Sequence, residues 1–214
     1  MGTYIPKTRK SAQVSRLLKS VLELEKESRR ISTSIGPVSE EAQEVRVRIR
    51  EIYLEIVFSD LVYAHSKDIE GKLWKSAFYK VFEEYRRRLK AFSESDIKSK
   101  KKQFRTVRAA FRKALRDAIE FYTEFKTKIA ERYRIYPLYR LYRDLDCEVK
   151  SEAEDIVDKA RMSYYRCLIY LGDLARYYEM QSRRVIRNWT IAVNYYQDAL
   201  NCNPDNGNSH NQLA

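Results

Sequence analysis

The chain has 214 residues, a formal net charge of +12, 44% hydrophobic residues, and only 5 Gly and 4 Pro. So few turn-formers over this length mean few turns and long elements. Long elements rich in Leu, Arg, Lys, Glu and Ala are helices, so an all-α fold is expected. The scattered Cys147, Cys167 and Cys202 exclude a disulfide framework or a zinc site by spacing. No apolar run reaches the length of a membrane span, and Tyr4, Pro6 and Lys7 break any signal-peptide core. Pro6 also stands where N-myristoylation wants Ser or Thr, so a soluble, intracellular chain without a membrane partner is expected.

Residues 1–10 read as a tail. A first helix is predicted over 11–32, because Val14, Leu17, Leu18, Val21 and Leu22 fall on one face. Gly36-Pro37 ends it. Ser39 can cap a second helix, with Glu40 and Glu41 in its first turn, that reaches about residue 65 on the stripe Val45, Ile49, Ile52 and Ile56. A third spans about 68–92 on Ile69, Leu73, Ala77, Val81, Tyr85 and Leu89, with Trp74, Phe78 and Phe82 beside them. Residues 93–102 read as a polar loop. The next helix runs to about 135, with Phe104, Phe111, Leu115, Ile119, Tyr122, Phe125 and Ile129 inward, and Pro137 stops it. A short piece to about 145 follows, then helices over about 151–180 and 186–201, and another from 209 that the chain end truncates.

The charge is uneven. Residues 86–143 hold 19 Lys or Arg against 6 Asp or Glu, or +13, leaving −1 for the remainder. A localised positive field attracts nucleic acid, phosphorylated segments or acidic tails. Lys100, Lys101, Lys102, Arg105 and Arg108 cluster near Phe104, the combination of cations and an aromatic that suits single-stranded RNA or DNA. No catalytic set can be assembled: the two histidines, His65 and His210, lie far apart without metal-ligand neighbours, and there is no Gly-rich phosphate loop. Neither an enzyme nor a cofactor is expected.

The most specific pattern is C-terminal. CLIYLGDLARYYE (167–179) is followed by AVNYYQDALNCNP (192–204), then Gly207 and NQLA (211–214). A tetratricopeptide (TPR) unit is two antiparallel helices of about 34 residues. Leu171, Gly172 and Tyr177 match its first helix, and Ala192, Tyr195, Ala199 and Pro204 its second. A small residue at Gly172 lets the paired helix approach closely.

With these motifs in order, and with LWKSAFYKVFEEYRRRL (73–89) and FYTEF (121–125) upstream, the chain resembles the Est/SMG proteins over roughly residues 40–214. The third-helix motif is similar to that of the endonuclease-bearing member. The resemblance implies a 14-3-3-like helical array continuing into TPR-type pairs: tail and first helix 1–38, bundle 39–150, TPR-like helices 151–214. It further implies an adaptor in nonsense-mediated mRNA decay or telomerase regulation, active in nucleus and cytoplasm, whose groove receives phosphorylated segments, notably of the decay helicase. Telomerase components, telomerase RNA and telomeric DNA are the alternative partners. A TPR scaffold for unmodified peptides is the third reading. Nuclease activity in this family belongs to a separate C-terminal PIN domain.

The 14-3-3 motif GD-x-x-RY implies Arg176 and Tyr177 as phosphate ligands. A guanidinium matches phosphate oxygens in a planar, bidentate way, and a tyrosine hydroxyl adds a donor. Asp173, one turn before Arg176, is placed to orient it. Relatives in the decay branch carry a Lys where this chain has Tyr79, and Lys75, one turn earlier, is the expected substitute, with Lys72 and Lys80 as further candidates. Asn211 is expected to bond a bound peptide backbone.

Overall fold

The computed structural model describes residues 7–135 and 152–204, and every regular element among them is helical. Helix α1 (Lys7–Ser34) packs against α2 (Glu40–Ser59). Gln13 at the start of α1 donates to Glu55 near the end of α2, so the two run antiparallel. Gly36 makes the reversal with φ of +102°, a left-handed conformation that glycine adopts without strain. As its sequence suggests, Ser39 caps α2: its Oγ accepts from Ala42 N at 3.2 Å, with Glu40 and Glu41 in the first turn.

The second helix does not continue to 65. Asp60 turns extended (φ −149°), and its Oδ1 accepts from Tyr63 N at 2.8 Å, starting the short α3 (Leu61–Ser66). An aspartate side chain competes with the helix ladder and favours a cap, which periodicity does not register. The third predicted helix is likewise divided. Asp68 is left-handed (φ 48°), α4 covers Ile69–Leu73, a π-helical turn covers Trp74–Tyr79, and α5 covers Lys80–Lys90. The wider turn accompanies a set of bulky rings: Trp74 lies 6.2 Å from Phe78 and 6.0 Å from Phe82, and the Arg50 guanidinium sits 4.4 Å over Phe78.

The expected loop at 93–102 contains a helix, α6 (Glu94–Ser99), opened by the bond from Ile97 N to Ser93 O. Charged residues such as Glu and Lys are good helix formers, so polarity alone does not specify a loop. Helix α7 (Lys101–Tyr133) ends before Pro137: Arg134 is left-handed (φ 51°), and Ile135 N bonds back to Ala130 O. Helix α8 is Glu152–Met180. Helix α9 is Thr190–Cys202, starting four residues later than periodicity indicates. Asn188 accounts for the delay, since its Oδ1 accepts from Thr190 N and its own N–H bonds to Glu179 Oε1. The pieces expected at 136–145 and from 209 lie outside the described residues.

The chain divides into two compact units, Met1–Val107 and Arg108–Ala214, with the boundary inside α7. The first is centred on Ile49, Tyr53, Ile56, Leu73, Phe78 and Phe82, and the second on Phe111, Leu115, Tyr122, Leu168, Leu171 and Tyr196, all buried. No helix among the described residues is long and apolar enough to cross a membrane.

Candidate functional site

The GDLARY segment lies on α8 where α9 packs against it. Tyr165 and Leu168 of α8 and Ala199 of α9 form a buried cluster, flanked by Met162, Tyr164, Ile169 and Tyr195. Gly172 presents no side chain at this contact, and the ring of Tyr196 fills the space. Tyr196 Oη then donates to Asp173 Oδ1 at 2.9 Å, and Arg176 Nη2 donates to the same oxygen at 3.1 Å. One carboxylate oxygen thus ties together both helices and the guanidinium.

Burial pushes the Tyr196 phenol well up, and the neighbouring Asp173 carboxylate adds to this. Burial by itself would lower the Arg176 pKa, but Tyr196, Asp173 and Tyr177 outweigh it and raise it overall, so the guanidinium stays charged. The Arg176 side chain is 39% exposed. Its Nε is buried with no hydrogen-bond partner, and its Cζ lies 5.3 Å from the Tyr177 ring centroid. A cation anchored by a carboxylate and more than a third exposed can offer a donor to an anionic oxygen.

Arg176, Tyr177 and Asp173 are therefore brought together as the spacing suggests. The aromatic that meets Gly172 is Tyr196, not Tyr195. The match to Tyr195 is one residue off: the repeat's aromatic stands four residues after its Ala, and Ala192 plus four is Tyr196. Lys75 and Tyr79 belong to the first unit. Lys75 lines a cavity of about 530 Å³ together with Lys72 and Lys80. Tyr79 is not among the lining residues, and its ring lies 5.4 Å from Arg86 Cζ. Asn211 lies outside the described residues.

Of the basic stretch, Lys101, Lys102 and Arg105 are exposed along the first turns of α7, preceded by exposed Lys100, while Arg108 is half-buried. Phe104 is half-buried and packs edge-on against Phe92 at 5.5 Å. Further along, the charge is used internally. Arg112 Nη1 donates to the carbonyls of Tyr178 and Gln181. Arg116 and Arg112 hold the Tyr178 phenol below its usual range. Arg87 and Arg88 pair with Glu84. Sequence reading passed over Arg46, which is only 4% exposed and also lines the first unit's cavity. Its signal was its register: it lies four residues after Ala42 and three before Ile49, on the apolar stripe. Among the described residues, no group of three or more His, Cys, Asp or Glu could hold a metal ion.

Comparison with known proteins places this geometry in a lineage. The chain is 34% identical over 181 residues to the Arabidopsis thaliana protein named nonsense-mediated mRNA decay factor SMG7, covering 78% of this chain and 17% of that protein. It is 27% identical over 177 residues to the Danio rerio telomerase-binding protein EST1A, covering 82% and 11%. It is 26% identical over 185 residues to the Mus musculus nonsense-mediated mRNA decay factor SMG5, covering 79% and 16%. The chain thus spans less than a fifth of the length of these relatives. They bear three different names within the family and do not single out the endonuclease-bearing branch suggested by the third-helix motif. The profile described as telomerase activating protein Est1 matches residues 68–182, which include α4 to α7 and the whole of α8 with its GDLARY segment. The chain belongs to the Est1 family.

Proposed function

We propose that this chain is a phosphoprotein-recognising adaptor segment, acting by binding rather than catalysis, in nonsense-mediated mRNA decay or telomerase regulation. The names of its relatives, decay factors and a telomerase-binding protein, support the setting. The observation that carries the binding chemistry is Arg176: anchored by Asp173 and more than a third exposed. A phosphorylated Ser or Thr of a partner, such as the decay helicase or a telomerase component, accepts from the guanidinium and from the Tyr177 hydroxyl. A charge-assisted bond of this kind contributes about 1.5–3 kcal/mol, or roughly 10- to 100-fold in affinity.

The test is fluorescence anisotropy against a degenerate phosphoserine peptide library and its unphosphorylated counterpart. Preference for the phosphorylated library, abolished by Arg176→Glu, is the expected result. Equal binding to both would replace this reading with a TPR-type scaffold for unmodified peptides.

One observation favours a second reading. Lys101, Lys102 and Arg105 stand exposed in the first turns of α7, where the positive end of the helix dipole makes cations unfavourable. That cost is recovered if a nucleic-acid backbone binds there. Single-stranded RNA or telomeric DNA would then lose affinity steeply with rising salt, and Lys101→Glu/Lys102→Glu would abolish the binding while leaving phosphopeptide recognition intact.

A further inference from the structure

The first unit holds an unusual electrostatic arrangement of its own. Its cavity of about 530 Å³ lies among α1, α2 and the α4–π–α5 stretch, and five cations line it: Arg29, Arg46, Lys72, Lys75 and Lys80. The lining has a single carboxylate, Glu25, and its Oε1 already accepts the Tyr53 hydroxyl at 2.8 Å. A surplus of four positive charges therefore converges on one depression. None of the five cations has a carboxylate partner among the described residues.

Arg46 makes the case sharpest. It is almost fully buried, yet its protein hydrogen bond is to a neutral acceptor, with Nη1 donating to Pro37 O at 2.6 Å. Burial, and then the like charge of Arg50 one turn on, lower its pKa to about 10. Buried charges are ordinarily paired, because desolvation without a counter-charge is costly. Arg50, whose guanidinium lies over the Phe78 ring, is a like charge and supplies no counter-charge. The cavity wall is apolar at Leu18, Val21, Ile49 and Val81, and a low local dielectric strengthens both the repulsion among these cations and their attraction for an anion. Hydroxyls from Ser28, Ser32 and Ser76 add neutral polar contacts. The neighbouring depression on α1 and α2 is different: Lys19, Lys26, Arg30 and Arg48 are interleaved there with Glu23 and Glu27, and Lys26 is already paired with Glu23.

We infer that this cavity is a binding site for a small, multiply phosphorylated anion, with Arg46 as its buried anchor and Arg29, Lys72, Lys75 and Lys80 as the converging outer cations. Its volume suits a small molecule, and ammonium groups on flexible stems close around phosphates as point charges. The ligand screens α1 from α4–α5 and so strengthens the packing of the first unit.

The experiment is titration calorimetry and thermal unfolding of the whole chain at constant ionic strength, with inorganic tripolyphosphate, ATP without metal, and myo-inositol hexakisphosphate as probes and sulfate as the control. Saturable one-site binding with a raised Tm is expected for at least one phosphate probe and not for sulfate, and the probe that binds tightest identifies the source. Lys72→Ala/Lys75→Ala/Lys80→Ala, all exposed positions, is expected to weaken binding at least tenfold with its helical circular dichroism unchanged. Arg46→Met is expected to abolish the ligand-induced Tm rise. Arg176→Glu is expected to leave both readouts unchanged, which separates this site from phosphoprotein recognition. Equal responses to sulfate and to all three phosphates, or an unchanged Kd in the triple-lysine variant, would overturn the assignment.

Discussion

The ring of Tyr196 occupies the space into which any side chain on Gly172 would project: a Cβ there would come within 2.3 Å of Tyr196 Cε1 and 2.6 Å of Cδ1. This contact sets how closely α9 lies on α8, and it delivers the Tyr196 hydroxyl to Asp173. Replacing a helical glycine by alanine ordinarily gains about 1 kcal/mol. Here the obstacle is an aromatic ring that is itself buried, and overpacking costs about 1–3 kcal/mol. Gly172→Ala is therefore expected to lower the urea midpoint, and Gly172→Ala/Tyr196→Leu to recover part of the loss. A stabilised Gly172→Ala would show that the two helices separate freely.

Two tyrosines contribute to the alkaline limb of stability. Burial pushes both Tyr53 and Tyr196 well above their ordinary 10.0, aided by the Glu25 and Asp173 carboxylates. The folded state thus prefers the protonated phenol. The contribution is fully present below pH 10 and is lost as pH rises past the unfolded value toward the folded one. Stability measured by urea unfolding is expected to be insensitive to these groups at pH 7–9 and to fall above pH 10. The fall is expected to be shallower in Tyr53→Phe/Tyr196→Phe. An unchanged slope in that variant would locate the alkaline sensitivity elsewhere.

Arg112 closes the C-terminal end of α8. Its Nη1 donates to Gln181 O at 3.1 Å and more weakly to Tyr178 O at 3.4 Å, and its guanidinium stacks 3.9 Å from the Tyr178 ring centroid. Helix-end carbonyls need such donors, and a cation there complements the dipole. Arg112→Ala is expected to cost about 1–2 kcal/mol, by analogy with other hydrogen bonds to charged groups, and to raise hydrogen exchange over 178–190. Arg112→Lys is expected to restore little, because an ammonium cannot both stack and fork.

Asp60 is the joint between α2 and α3. Its carboxylate satisfies Tyr63 N, while its own N–H completes α2 through Ile56 O at 3.0 Å. Loss of a cap of this type costs about 0.5–2 kcal/mol. Asp60→Ala is expected to fall in that range by chemical denaturation, and Asp60→Asn to fall well below it. Equal losses for the two would mean that charge, not the acceptor oxygen, is what matters at the joint.

Much of this architecture is local, and local features are readable in one dimension. Of the stripe Val45, Ile49, Ile52 and Ile56, all but the half-buried Ile52 report a buried face, because a helix repeats every 3.6 residues. Ser39 reports a helix start because its oxygen reaches a backbone N–H three residues on, and Gly36 a reversal because few other residues accept its φ. The trio Asp173, Arg176 and Tyr177 was legible for the same reason: residues three or four apart on a helix are neighbours whatever surrounds them. Asp60 and Asn188 were harder to read, because each uses its side chain to interrupt a pattern that the apolar residues continue.

Length, charge, the helical class and the GDLARY segment were thus determined by the sequence itself, since each depends on composition or on contacts within one turn. Tertiary structure alone decided that a π-turn interrupts the third helix, that Arg46 is desolvated, and that Arg29 shares a cavity with Lys72, Lys75 and Lys80. These outcomes join residues tens of positions apart. Their energies come from the surfaces that packing brings together, and no periodicity within a single helix carries that information.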